Sequence, residues 1–205
     1  MTTCNTCSSS IPDPAEEWPD GNGGTICQEC WEAESDRMWW AVVVPLDRAD
    51  ALGASGTAAW EIIRRSPHLT FQILTKRPER IREHLPSDWG DGWHNVWLGV
   101  SVESQAFMHR AALLAEIPAA VRFVSAEPLL GPLEFQSEVI ERLHWIIGGG
   151  ESGPNARPAL ANWFEGLAAV CHLHDIAYWH KQNGGSGSDK GGNLLNGRLI
   201  QQFPR

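Results

Sequence analysis

Two cysteine pairs, Cys4-Asn5-Thr6-Cys7 and Cys27-Gln28-Glu29-Cys30, share one internal spacing, with nineteen residues between Cys7 and Cys27. A C-x-x-C turn presents two sulfurs to one ion, and two such turns complete a tetrahedral Zn2+ site with four thiolates. Gly21-Asn22-Gly23-Gly24, between the pairs, supplies turn chemistry that lets them face each other. The same thiols could hold an iron–sulfur cluster or stay free or redox-active. Disulfides are disfavoured in a reducing compartment. A four-thiolate zinc site has no open coordination position, so its role is structural. Apparent binding free energies of roughly 10–16 kcal/mol for such sites are enough to organise a segment with almost no core. The spacing predicts a zinc ribbon on Cys4, Cys7, Cys27 and Cys30, with an iron–sulfur cluster as the alternative.

A second group of chemically able side chains follows apolar runs. Thr75-Lys76-Arg77, Ser101-Val102-Glu103, Ser125-Ala126-Glu127 and Gly148-Gly149-Gly150-Glu151-Ser152-Gly153 each close such a run, and His180-Lys181-Gln182 lies in the last one. If the runs are parallel strands, these ends share the rim where α/β sheets and barrels place their sites. Lys76, Glu103, Glu127, Glu151 and Lys181 are then rim candidates, able to bind a polar substrate or to do acid–base work. The competing expectation is a salt-bridge network that ties the strand ends together. Gly148-Gly149-Gly150 would let backbone N–H groups approach an anion or a ribose, or would simply form a tight turn. His144, His172, His174 and His180 show no metal-ligand spacing. Cys171, alone in an expected helix, reads as a buried small hydrophobe.

Six β-rich runs must position these residues: 38–44, 70–75, 96–102, 121–125, 144–148 and 177–181. They recur about every 25–30 residues, the length of one β/α unit, and they are continuously apolar, as strands covered on both faces are. Helices are expected over 55–66, capped by Ser55 and stopped by Pro67, over 78–85 with Pro78 at its first position, over 104–116, over about 136–143 and over 160–174. Residues 183–197, rich in glycine, read as a loop or hairpin before a last short strand at 198–200. The fold class is α/β with about six parallel strands at 38–205, preceded by a zinc-ribbon-like segment at 1–37; right-handed crossovers allow either an open doubly wound sheet or a partial (β/α) barrel, and the resemblance described below implies the barrel. Val44-Pro45-Leu46-Asp47 after the first run is not G-x-G-x-x-G, which weighs against dinucleotide binding.

Composition bounds function further. The 205 residues carry a formal net charge of −9, which makes the chain a poor general nucleic-acid binder. The best basic stretch, Lys76-Arg77-Pro78-Glu79-Arg80-Ile81-Arg82, reads as a solvated helix start. No apolar run reaches the ~18–20 residues that span a bilayer. No basic segment followed by an apolar one opens the chain, so a cytoplasmic location is expected. Eleven Trp against one Tyr is an unusual bias.

QILTKRPER at 72–80, NVWLGVSVE at 95–103, RFVSAEPLLGP at 122–132 and WIIGGGESGPNARP at 145–158 occur in this order, with Lys181-Gln182 after them. Together they resemble an uncharacterised family of phage and prophage proteins related to radical S-adenosylmethionine enzymes. The resemblance covers roughly 68–183. It implies a partial (β/α) barrel, an N-terminal three-cysteine motif holding a 4Fe-4S cluster with S-adenosylmethionine, and nucleotide or nucleic-acid modification by association. This chain departs from the pattern: no C-x-x-x-C-x-x-C is present, and Cys30-Trp31-Glu32-Ala33 stands where the family has its cysteines followed by Tyr-Ala. The combined expectation is a phage-type metal-binding protein with a degenerate barrel. Its zinc ribbon would serve structure or dock on a host protein or nucleic acid in the host cytoplasm. An iron–sulfur, S-adenosylmethionine-dependent enzyme is the alternative.

Overall fold

The computed structural model describes residues 56–204 and, before them, the backbone of four two-residue strands. Thr2–Thr3 (β1) pairs antiparallel with Ser10–Ile11 (β2), and Trp18–Pro19 (β3) with Thr25–Ile26 (β4). The four paired cysteines, the boundary expected at 37/38, the expected strand at 38–44 and Ser55 lie outside the described residues.

Helix α1, Gly56–Arg65, ends just ahead of Pro67, whose ring disfavours helical backbone in the residue before it. Strand β5, Phe71–Thr75, leads through a 3₁₀ turn at Pro78–Arg80 into the single turn α2, Ile81–His84. Strand β6, Val96–Ser101, is followed by a 3₁₀ turn at Gln105–Phe107 and by α3, His109–Ala115. Helix was expected from Ser104 on, but Ser104 is extended (φ −155°, ψ 169°) and the regular helix starts only at His109. Strand β7, Val121–Ala126, and the single turn α4, Ser137–Ile140, precede strand β8, Trp145–Gly149. Helix α5, Ala161–Leu173, and strand β9, Ala177–Gln182, complete the main units. A small hairpin, Leu194–Leu195 (β10) with Arg198–Leu199 (β11), follows. Its connecting pair Asn196-Gly197 has φ of 50° and 74°, the left-handed backbone that a two-residue hairpin turn demands.

The sheet is wholly parallel in the order β5-β6-β7-β8-β9, and it does not close on itself. Five of the six expected strands are therefore present; the sixth is the one at 38–44. The free side of β9 is covered by the C-terminal tail: His180 N–H donates to the Ile200 carbonyl (2.8 Å) and Gln202 N–H to that of Tyr178 (2.9 Å). Among the described residues β5 is an edge strand.

Strand alternation divides the core. Ile73, Leu98, Val100, Val124, Ile146 and Tyr178 point to one face, and every buried apolar helix residue among those described, from Ile63 to Cys171, packs there. The opposite face holds Trp97, Val121, Phe123 and Trp145, with Leu74, Ile147, Trp179 and Phe203 against them and, among the described residues, no helix residue. Trp145 stands edge-on to Trp97 and Trp179 (centroids 5.7 and 6.3 Å) and donates its indole N–H to the Gln202 carbonyl at 2.9 Å. A second tryptophan cluster, Trp60, Trp89 and Trp93, fastens α1 to residues 84–93, with Trp60 Nε1 donating to the His84 carbonyl (2.7 Å). Much of the tryptophan bias is thus aromatic packing on both sides of the sheet.

Candidate functional site

The parallel register sets Ser101 opposite Ser125, Ala126 opposite Gly148 and Gly149 opposite Gln182, so the residues that follow the strands share one rim. The rim candidates resolve into three ion-paired groups. Glu103, its side chain only 8% exposed, bridges Lys76 and Arg110; Arg110 Nη1 lies 2.9 Å from Glu103 Oε2 and also donates to the Ser101 carbonyl. Burial pushes the Glu103 carboxyl up. The Lys76 hydrogen bond, its own backbone N–H and the two cations outweigh this and hold it below the usual carboxylate range.

Glu127 takes Lys181 Nζ at 3.0 Å, and the Gln182 side-chain amide donates to it at 3.4 Å and to the Gly150 carbonyl at 2.9 Å. Lys181 sits on β9 and Glu127 follows β7, so this pair reaches across β8. Gly149 leaves this crossing room: a Cβ there would stand 3.2–3.3 Å from three atoms of the Glu127 side chain, which would have to give by a few tenths of an ångström. Gly148 and Gly150 also make room for protein atoms, the Tyr178 hydroxyl and the Asn183 carbonyl respectively. Gly150 N–H donates to the Gln182 carbonyl (2.9 Å), and the Gly149 carbonyl accepts from Leu129 N–H (2.8 Å). The glycine run thus serves close packing at this rim.

Glu151 meets neither lysine. Arg157 grips it with Nε (2.8 Å), Nη2 (2.7 Å) and its backbone N–H (2.8 Å). The Arg157 side chain, then its backbone N–H, bring the Glu151 carboxyl down to about 2. Sequence reading placed Glu151 with the other two carboxylates; the structure ties it into the loop that leaves β8.

Beneath the rim, on the helix side, His180 is fully buried. Its Nε2 lies 3.0 Å from Asn183 Oδ1, and its ring stands edge-on to Phe164 with centroids 4.8 Å apart. Burial lowers its pKa, and the Asn183 contact offsets part of that. Asn183 Nδ2 donates to the Gly191 and Leu194 carbonyls, which anchors the glycine-rich loop. Cys171, as expected, is buried, and desolvation pushes its thiol up to about 12. Among the described residues no group of three or more His, Cys, Asp and Glu could hold a metal ion, and no helix is long and apolar enough to cross a membrane.

Sequence reading missed Arg110 and Arg157. Arg110 lies one helical segment beyond Glu103, and only the docking of α3 turns it back toward the strand end. Arg157 lies six residues after Glu151 in a loop without periodicity.

Sheet and rim together define an α/β protein whose parallel strands end in a row of paired charges. Residues 31–204 match a family described as "Protein of unknown function (DUF5131)", and the chain belongs to that family. No curated protein and no solved structure matches it.

Proposed function

We propose that this is a phage-type metal-binding protein in which a degenerate, radical-SAM-like partial (β/α) barrel serves as scaffold. Zn2+ held by Cys4, Cys7, Cys27 and Cys30 organises the N-terminal segment, which docks on a host macromolecule. The observation that carries the proposal is where the thiols lie relative to the family match. The matched stretch, 31–204, holds a single cysteine, Cys171, and that thiol is buried, with desolvation pushing its pKa up to about 12. The four thiols fit for metal ligation all precede the match. The ladders β1–β2 and β3–β4 support a ribbon, since Cys4 and Cys7 fall between the first two strands in sequence and Cys27 follows the last directly. Among the described residues the helices lie on one face only, which supports the barrel, because an open doubly wound sheet takes helices on both faces and a barrel takes them only outside.

The deciding experiment is elemental analysis of protein purified without air. One zinc per chain, released by a chelator together with loss of N-terminal structure, is the expected result. Stoichiometric iron and sulfide would overturn it. The paired charges at the rim favour the second possibility, an iron–sulfur and S-adenosylmethionine-dependent enzyme acting on a nucleotide or nucleic acid. Anaerobic reconstitution with iron and sulfide, followed by an assay for S-adenosylmethionine cleavage, tests it directly.

A further inference from the structure

Adjacent strands β6 and β7 end in the same triplet pattern, Ser101-Val102-Glu103 and Ser125-Ala126-Glu127. Val102 and Ala126 belong to the helix-side core, so by alternation both serines belong to the opposite, aromatic face, directly opposite each other in register. They are only 5% and 6% exposed. Among the described residues neither hydroxyl has a hydrogen-bond partner, whereas buried polar groups are ordinarily satisfied. Two neighbouring buried hydroxyls without partners mark a place where something else supplies the hydrogen bonds.

The surrounding charge says what that is. Each rim carboxylate is already neutralised: Glu103 by Lys76 and Arg110, Glu127 by Lys181, Glu151 by Arg157. The exposed Arg77 guanidinium has no partner among the described residues. Among the described residues the rim therefore carries two more cations than carboxylates, in a chain whose formal net charge is −9. The ammonium groups of Lys76 and Lys181, on side chains 60% and 48% exposed, each have three donors, more than one carboxylate uses. Among the described residues a cationic ligand finds no unpaired carboxylate here, whereas an anion finds spare donors on two lysines and two serines.

We propose that this rim binds a terminal oxyanion, a phosphoryl or carboxylate group of a small molecule, seated on the Ser101 and Ser125 hydroxyls and drawn in by Lys76 and Lys181. Hydroxyl and ammonium donors are the set that recognises such oxygens. The assignment rests on the strand-end rim being the ligand end of the sheet, and it is independent of the metal held by the cysteine segment.

The test is isothermal titration calorimetry of the full-length protein with inorganic phosphate and, in a parallel arm, acetate, at fixed ionic strength. Saturable binding in at least one arm is expected, and the arm that responds distinguishes a phosphoryl from a carboxylate ligand. The S101A/S125A double variant should bind about tenfold or more weakly, since each hydroxyl gives a hydrogen bond to a charged group. Its thermal midpoint should not fall, because an unpartnered hydroxyl contributes nothing to the fold. If that variant misfolds, Lys181→Gln serves in its place, with the same weakening expected. No saturable heat in either arm overturns the assignment, as does undiminished affinity in the variants. The metal analysis can fail while this titration succeeds, and the reverse, so the two conclusions stand or fall separately.

Discussion

Replacing Glu103 by Ala removes the acceptor shared by Lys76 and Arg110, and the two cations are not equally placed. The Arg110 side chain is 13% exposed and the Lys76 side chain 60%. Breaking a buried pair by deleting one partner costs about 3–5 kcal/mol. Arg110 keeps its bond to the Ser101 carbonyl and its stacking on Phe107 at 4.1 Å. The loss is accordingly set at about 2–3 kcal/mol, below that range. In a domain of this size each kcal/mol moves the midpoint by about 2–4 °C, so Glu103→Ala should melt about 4–12 °C lower by circular dichroism at pH 7. Lys76→Ala removes only an exposed partner and should cost about 1 kcal/mol or less. The pH dependence follows from the sign of the shift. The folded carboxyl lies below its unfolded value, so its stabilising effect is present above the ordinary carboxylate range and is lost as pH falls through the folded value. Wild type and Glu103→Ala should therefore converge in acid. A midpoint for Glu103→Ala within measurement error of wild type, or a Lys76→Ala loss as large as that of Glu103→Ala, would refute the account of a buried bridging carboxylate.

Three further outcomes follow from the same packing. His180 and His144 both have folded pKa values lowered chiefly by burial, so stability should be full above the unfolded value of about 6.5 and decline as pH drops below it. Urea denaturation at pH 7.5 and 5.5 measures that difference, and His180→Gln should remove part of it. Gly99→Ala would place a Cβ 2.2–2.5 Å from three ring atoms of Phe123 and should destabilise by about 1–3 kcal/mol, a loss reduced in the Phe123→Leu background. With chelator present, a thiol reagent should label four cysteines in the native protein and Cys171 only on unfolding; five fast thiols would contradict its burial.

What could be read along the chain was what repeats along it. Continuous apolar runs marked β5 to β9, because a strand buried on both faces has no polar side to show. The prolines at 67 and 78 marked a helix end and a helix start, because their rings restrict backbone locally. The polar residues closing each run marked the rim, since parallel strands must end on one side. Pairing could not be read this way. Glu103 chose Arg110 as well as Lys76 through the docking of α3, Glu127 reached Lys181 across a strand that glycine leaves bare, and Glu151 turned aside to Arg157. Nor did any spacing reveal that all described helices share one face, or that Ser101 and Ser125 meet with their hydroxyls unpartnered. Periodicity is a property of neighbours in sequence, which sterics and solvent settle locally. Partner choice depends on strand register and helix docking, which only the assembled sheet decides.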